Sequence, residues 1–398
     1  MKQLIITNGK IILPDKLVEE GTVICEDGKI TAILKKTDTF PQQRSIETKT
    51  IDAKGNYVSP GFIDIHTHGG GGFDFMDGTV DAYLGAAETH AKFGTTALLP
   101  TTLAGSLEEL MKTFSVYKIA KQKNKKGAAF LGLHLEGPYF SYNQRGAQDP
   151  KYLRNPNPEE YNRILETCDD IVRWSLAPEL EGAVEFGRVL TSKNILPSIA
   201  HSDAIYEQVV EAFHAGFTHI THLYSAMSTV TRRNAFRYAG IVEAAYLIDD
   251  MTVEIIADGV HLPKPLLQFV YKFKGPDKTA LCTDSMRGAG MPDGESILGS
   301  LEKGQKVIIE DGVAKLPDRS AFAGSVATAD RLVRTMINVA EVPLIDAVKM
   351  MTTTPARILK INNRKGSLEI GKDADLTIFD KNINVSHTIL EGNVIYRN

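Results

Sequence analysis

Cysteine is scarce in this chain of 398 residues, occurring only as Cys25, Cys168 and Cys282. The three form no CxxC pair and cannot all pair with one another, so a disulfide framework is excluded and the reading is a reduced, cytoplasmic protein. A surplus of one charge is missing as well. Lys and Arg number 45 against 49 Asp and Glu, a formal net charge of −4, which gives no basic surface for a nucleic acid or an anionic membrane. An anionic ligand must then be held by a few local cations rather than by a global field. No apolar run approaches the ~18 residues of a spanning helix. The opening MKQLIITNGKIILPDK turns polar too soon for a signal peptide.

What the sequence does have is a hydrophobic fraction of 43%, enough for one large domain and a smaller one. Near the N-terminus, LIITNGKII and TVICEDGKITAIL place β-branched runs around NG and DG, a hairpin signal. GSLEIGKDADLTIFD and VSHTILEGNVIYRN repeat that texture near the C-terminus. The two ends are expected to pair into one small β-sandwich, residues 1–59 with 366–398. Two separate hairpin modules would each bury little apolar surface.

Between the ends, strand-like apolar runs alternate with helical spacing. The runs are GFIDIH, TTALLPTT, AFLGLHLEG, IVRWSLAPE, ILPSIAHSD, FTHITHLY, MTVEIIADG and KTALCTD. Helical periodicity marks VDAYLGAAETHAKF, LEELMKTFSVYKIA and YEQVVEAFHAGF. Eight such units over roughly 230 residues fit an α/β (β/α)8 TIM barrel, for which about 250 is typical; it is expected to span residues 60–365. A doubly wound open sheet is the alternative, but it explains less well why so many strands run out in a potential ligand or acid. The stretch from Ser285 to Phe322 departs from the alternation. Its KVIIEDGVAKL reads as a hairpin beside the flexible loop RGAGMPDGES, serving either as a lid or rim or as a decorated loop.

Polar residues collect where these strands end. The first run ends at His66 and His68, the third at Glu136, the fifth at His201 and the sixth at His222; the seventh runs into Asp258 and His261, and the eighth ends at Asp284. Barrel active sites form at this C-terminal rim from several strand ends. Four His and two carboxylates there make a nitrogen and oxygen site suited to Zn²⁺ or Fe²⁺. Each residue also has an ordinary structural role open to it: Glu136 could cap a turn, Asp284 could be a helix N-cap, and a lone His201 or His222 could simply be a hydrogen-bonded core residue. The conjunction at the ends of one barrel favours the metal site. His90, His214 and His387 read as packing or surface residues, His134 as a neighbour supporting Glu136, and His219, of opposite parity to His222, as facing the helices. HGGGGFDF lacks the GK[ST] of a P-loop, so its glycines serve close approach of backbone to metal or substrate.

PGFIDIHTHG, LGLHLEGPYF, THLYSAM, IADGVHL, TDSMRGAG, AFAGS, TTPAR and GSLEIGKDADL follow one another in this order. Together they resemble the amidohydrolase superfamily and, more closely, its N-acetylglucosamine-6-phosphate deacetylases, over nearly the whole chain. The resemblance implies hydrolysis of an N-acetylated amino-sugar phosphate to the free amine and acetate, with one or two divalent cations (zinc or iron) per subunit. It implies Glu136, His201 and His222 as ligands of the principal metal, His66 and His68 as ligands of a second, and Asp284 as the acid and base. It further places Ala147, Ser225, Ala226, Arg233, the stretch Asp258, Gly259, Val260 and His261, and Phe322, Ala323 and Gly324 around the sugar phosphate. Arg233 and His261 are the expected phosphate partners, with Arg232 or Arg237 able to substitute for Arg233. The family is usually dimeric, and its phosphate pocket can borrow residues from the neighbouring subunit; a homodimer is the expectation here.

Two positions depart from the pattern: Ser225 stands where the family usually shows Asn, and Gln148 where it shows His. Both are expected on the substrate side, which leaves the preferred amino sugar and the strictness of the phosphate requirement open. The alternatives are a deacetylase of the galactosamine epimer, a cyclic amidase of the hydantoinase or dihydroorotase kind, and a catalytically inactive binding barrel. Cyclic amidases typically bridge two metals with a carboxylated Lys, and neither Glu136 nor the run RWSLAPE supplies one. An inactive barrel would be expected to have lost ligands or the strand-eight acid, and this sequence keeps them all.

Overall fold

All eight apolar runs of the central region become parallel strands in the computed structural model, which describes residues 2–38 and 47–398. Met1 and residues 39–46, which fall within the expected small domain, lie outside the described residues. The strands are β1 (Phe62–Thr67), β2 (Thr95–Thr102), β3 (Leu133–Glu136), β4 (Ile171–Leu176), β5 (Leu196–Ile199), β6 (His219–Ile220), β7 (Thr252–Ile255) and β8 (Thr279–Leu281). They pair in that order. Just beyond β8 the chain returns to β1: the Asp284 N–H donates to His66 O and the His68 N–H to Ser285 O, both at 2.8 Å. This nearly closes the barrel. It also brings the two ends of the polar series, His66 and Asp284, side by side.

The helices between strands begin where the sequence supplies caps. Thr79 accepts the Ala82 N–H ahead of helix Val80–Lys92. Ser106 and Glu109 exchange bonds in a capping box ahead of Leu107–Lys123, satisfying amide groups that the first helical turn leaves free. Each helix turns an apolar face to the barrel, and Tyr83, Tyr117, Phe186 and Val270 are buried there.

The two chain ends meet as expected. Leu376–Phe379 lies antiparallel to Tyr57–Pro60, with Leu376 opposite Pro60 and Phe379 opposite Tyr57. The strands of both ends run on as one mixed sheet of eight. Leu4, Ile6, Ile11 and Val23 share a buried core there with Leu376, Ile378 and Ile389. Among the described residues no helix is long and apolar enough to cross a membrane.

The stretch after β8 contains the expected hairpin in KVIIEDGVAKL and one strand more, in what read as flexible loop. Gly294–Leu298, Gln305–Glu310 and Val313–Lys315 form a three-stranded antiparallel sheet. It encloses its own small core of Met286, Leu298, Val307, Ile309, Ala314 and Ala323. Gln305 Nε2 donates to Ala147 O at 2.7 Å, tying this sheet to the loop after β3. It forms a wall of the cavity described next.

Candidate metal-binding active site

At the C-terminal end of the barrel a cavity of about 560 Å³ opens, lined in part by His68, Glu136, His201, His222, His261 and Asp284. The four imidazoles of the expected set aim Nε2 at two carboxylates. Glu136 Oε1 lies 3.2 Å from His222, 3.4 Å from His201 and 3.5 Å from His66. Glu136 Oε2 lies 3.3 Å from His68. Asp284 Oδ1 stands 3.1 Å from His68 and 3.3 Å from His66. These separations exceed the usual 2.7–2.9 Å of a charge-assisted hydrogen bond. They match the edge of a coordination polyhedron, since two tetrahedral ligands about 2.0–2.1 Å from one ion stand roughly 3.3 Å apart. His66 Nε2 is buried and makes no hydrogen bond. Such an orphaned nitrogen is costly unless something binds it.

The far side of most of these rings is already engaged. Glu254 accepts from His66 Nδ1 at 2.8 Å, Gln144 O from His201 Nδ1 at 2.8 Å, and Thr101 O from His68 Nδ1 at 3.3 Å. A proton held on Nδ1 leaves the Nε2 lone pair free for a metal. Two groupings of ligand atoms follow, Glu136/His201/His222 and His66/His68/Glu136. Both fit a divalent cation. A third grouping, His66/Glu254/Cys282, does not: burial pushes the Cys282 thiol well above its usual range, and Glu254 is committed to Arg173.

That commitment underlies the site. Arg173 on β4 and Glu254 on β7 are fully buried inside the barrel and meet through two bonds of 2.6 and 2.9 Å. The guanidinium also donates to Ile65 O, Ser198 Oγ and Thr221 Oγ1, so all five of its N–H groups are used. Sequence reasoning missed this pair. The signal was a lone charge of each sign inside otherwise apolar strands, in IVRWSL and TVEI.

His219 is a correction. It was expected to face the helices, yet its Nε2 lies 3.3 Å from Glu254 inside the barrel. Strict alternation fails because β6 is regular only over His219–Ile220, and His222 turns out of it at φ 30°. His201 and Asp284 likewise sit at φ 46°, a left-handed conformation costly for non-glycine residues and typical of functional sites. His134 lies beside the cluster, its ring edge-on to His66 at 4.7 Å, with Thr101 and Ser175 hydroxyls on its two nitrogens. His90 packs beneath Thr67 and Gly69, and burial pushes its pKa down to about 4.

Burial alone would raise the Glu136 carboxyl, but the imidazoles of His66, His201, His222 and His68 around it outweigh burial and hold the group well below the usual carboxylate range. For Asp284, too, burial is outweighed, by His66 and His68, and the carboxyl is lowered.

Of the residues expected around the sugar phosphate, Ala147, Ser225, Ala226, His261, Phe322 and Gly324 line the cavity. Asp258 sits behind His261, its Oδ2 accepting from His261 Nδ1 at 2.8 Å while Oδ1 caps the Val260 and His261 amides. The His261 ring packs on Phe322 at 4.7 Å. Ala323 is buried in the small core behind the wall, and Gly259 and Val260 are not among the lining residues. Arg233 is not brought to the cavity of its own chain. It lies on the hairpin Thr231–Arg233/Phe236–Tyr238, exposed, with its guanidinium over the Tyr238 ring at 5.5 Å. The lining includes instead an arginine the sequence did not single out, Arg145, whose Nη1 donates to Tyr142 O at 2.8 Å.

A barrel with clustered imidazole and carboxylate side chains at its strand ends, able to hold a metal ion, defines the class. The chain belongs to the amidohydrolase family, whose sequence profile matches residues 57–395. It is similar to the N-acetylglucosamine-6-phosphate deacetylase of Bacillus subtilis (strain 168), 31% identical with 99% of this chain and 98% of that one covered. It is also 31% identical to the N-acetylgalactosamine-6-phosphate deacetylase of Escherichia coli O157:H7, covering 96% of this chain and 97% of that one. Among solved structures, the N-acetylglucosamine-6-phosphate deacetylase of Pasteurella multocida superposes with a TM-score of 0.90 at 29% identity over the whole of both chains. A Mycobacterium smegmatis N-acetyl-D-glucosamine-6-phosphate deacetylase variant in complex with N-acetyl-D-glucosamine-6-phosphate gives 0.88 at 27%, covering 99% of this chain and 100% of that one.

Proposed function

We propose that this protein hydrolyses N-acetyl-D-glucosamine 6-phosphate to glucosamine 6-phosphate and acetate. The observation that carries the reading is the convergence of four imidazole Nε2 atoms on Glu136 and Asp284 at 3.1–3.5 Å, in a cavity large enough for a hexose phosphate. Glu136, His201 and His222 would hold the principal ion, with His66 and His68 completing a second position around Glu136. Zinc and iron both suit this donor set. A bound divalent cation supplies Lewis acidity, polarising the amide carbonyl and bringing the pKa of a water towards about 7. Asp284, kept ionised by its neighbours, takes a proton from the attacking water as the new C–O bond forms. It then delivers that proton to nitrogen as the C–N bond breaks, so one carboxylate serves as base and then acid.

His261, fixed by Asp258, and the Ser225–Ala226 segment would receive the sugar phosphate. Arg233 enters as a residue lent to the neighbouring subunit of a homodimer. The exposure of Phe236 on the same hairpin and of Leu247 and Phe273 on nearby helices supports this, since large apolar side chains left in water mark association surfaces. Three free, buried cysteines accord with a reduced, cytoplasmic setting. Residues 1–59 with 366–398 are read as one domain and 60–365 as the barrel domain. A second reading, deacetylation of the galactosamine epimer, is favoured by the likeness to the Escherichia coli relative.

Acetate release from N-acetylglucosamine and N-acetylgalactosamine, each with and without 6-phosphate, tests the reading. Preferred turnover of N-acetylglucosamine 6-phosphate is expected. Preference for the galactosamine ester would establish the second reading, and no hydrolysis of any of the four by metal-loaded protein would overturn both.

A further inference from the structure

Gln148 lies buried on the cavity wall, on the loop after β3, with its side-chain amide fixed at both ends. Its Oε1 accepts the Ala104 N–H at 2.9 Å, and its Nε2 donates to Glu136 Oε2 at 2.9 Å. A backbone N–H can only donate, so the amide has a single workable orientation, with its NH₂ turned to Glu136. The loop is anchored independently. Asp203 accepts from Ser141 Oγ, Asn143 Nδ2 and Gln144 Nε2 at 2.8, 3.1 and 2.6 Å, and the Gln144 carbonyl holds His201. One short segment therefore grips two members of the cluster.

The two oxygens of Glu136 are thereby made unequal. Oε1 faces His201, His222 and His66, while Oε2 faces His68 and receives the Gln148 N–H. We propose that Gln148 is a positioning residue for metal binding, locking the rotation of the Glu136 carboxylate so that Oε1 is presented to the site shared with His201 and His222. It goes beyond the expectation that Gln148 belongs to the substrate side. Removing a hydrogen-bonding partner behind a ligand typically costs about 10–100-fold in metal affinity.

The proposal rests on the metal reading of this cluster, and the test separates the two. Apo protein is titrated with Zn²⁺ in competition with a chromophoric chelator, for wild type, Gln148→Glu, Gln148→Ala and Gln148→His. Gln148→Glu is nearly isosteric and keeps the acceptor for Ala104 but turns a second carboxylate on Glu136, so it is read beside Gln148→Ala, which deletes the donor without adding charge. The dissociation constant is expected to rise about 10–100-fold in Gln148→Glu and Gln148→Ala. It should stay within a few-fold of wild type in Gln148→His, whose imidazole can still donate. At saturating Zn²⁺ the KM for acetylated sugar should change little. Unchanged Zn²⁺ affinity in Gln148→Glu and Gln148→Ala, or an altered KM at saturating metal as the only effect, would overturn the assignment. Failure of wild type to bind Zn²⁺ would count against the metal reading itself.

Discussion

Asp284 combines three features seldom found together: it is buried, it adopts a left-handed backbone at φ 46°, and it stands 3.1 Å from one candidate ligand and 3.3 Å from another. A carboxylate so placed could serve as base or as ligand, and the two roles separate in one variant. Asp284→Asn keeps the size and a carbonyl oxygen but cannot carry a proton between water and amine. Turnover should fall by about 10²–10⁴-fold, while metal content by elemental analysis stays at the wild-type value. Parallel loss of metal and activity would make Asp284 a ligand instead. Its candidacy was legible in the sequence through conjunction: singly, Asp284, Glu136 and the four histidines each have an ordinary structural role open to them, but together they fall at the strand ends of one barrel. Arg173 and Glu254 escaped it. A charge in mid-strand reads as a solvated face until the barrel closes around it, and only then do five N–H groups find their acceptors.

The strands were readable as elements because each is an apolar run bounded by turn residues, but where they bend was not. His201, His222 and Asp284 leave β5, β6 and β8 through positive φ, which no period-2 pattern anticipates, and His219 was misplaced for that reason. The stretch after β8 misled differently. Its KVIIEDGVAKL forms the hairpin its Asp-Gly turn announced, but the Gly-rich RGAGMPDGES suggested mobility, and Gly294–Leu298 instead adds a third strand to that hairpin. The hairpin Thr231–Tyr238 carries Arg233, which is exposed and not among the residues lining its own cavity. If that residue completes the phosphate pocket of a neighbouring subunit, Arg233→Ala should raise KM for the phosphorylated sugar by an order of magnitude or more, as expected for a lost charge-assisted pair worth about 1.5–3 kcal/mol. The unphosphorylated sugar should be affected little. An equal effect on both substrates would remove Arg233 as the phosphate anchor.

At the scale of the whole molecule, one sheet built from both chain ends abuts a barrel whose chemistry lies entirely at its C-terminal rim. The strands of the small sheet make the pairing of distant segments, Leu376–Phe379 on Tyr57–Pro60, that the matching hairpin textures of the two ends foretold. Packing holds the barrel, and the ionic pair Arg173–Glu254 at its centre sets His66, so the site inherits its geometry from the fold. An amide is a poor electrophile, and the central claim we propose is that hydrolysis by this chain depends on a divalent cation held at the Glu136, His201 and His222 cluster. Acetate release from N-acetylglucosamine 6-phosphate, measured before chelation, after it and after adding back Zn²⁺ or Fe²⁺, tests this most directly. Activity should vanish in the apo protein and return in step with bound metal. Full turnover by protein shown to be free of metal would contradict the account.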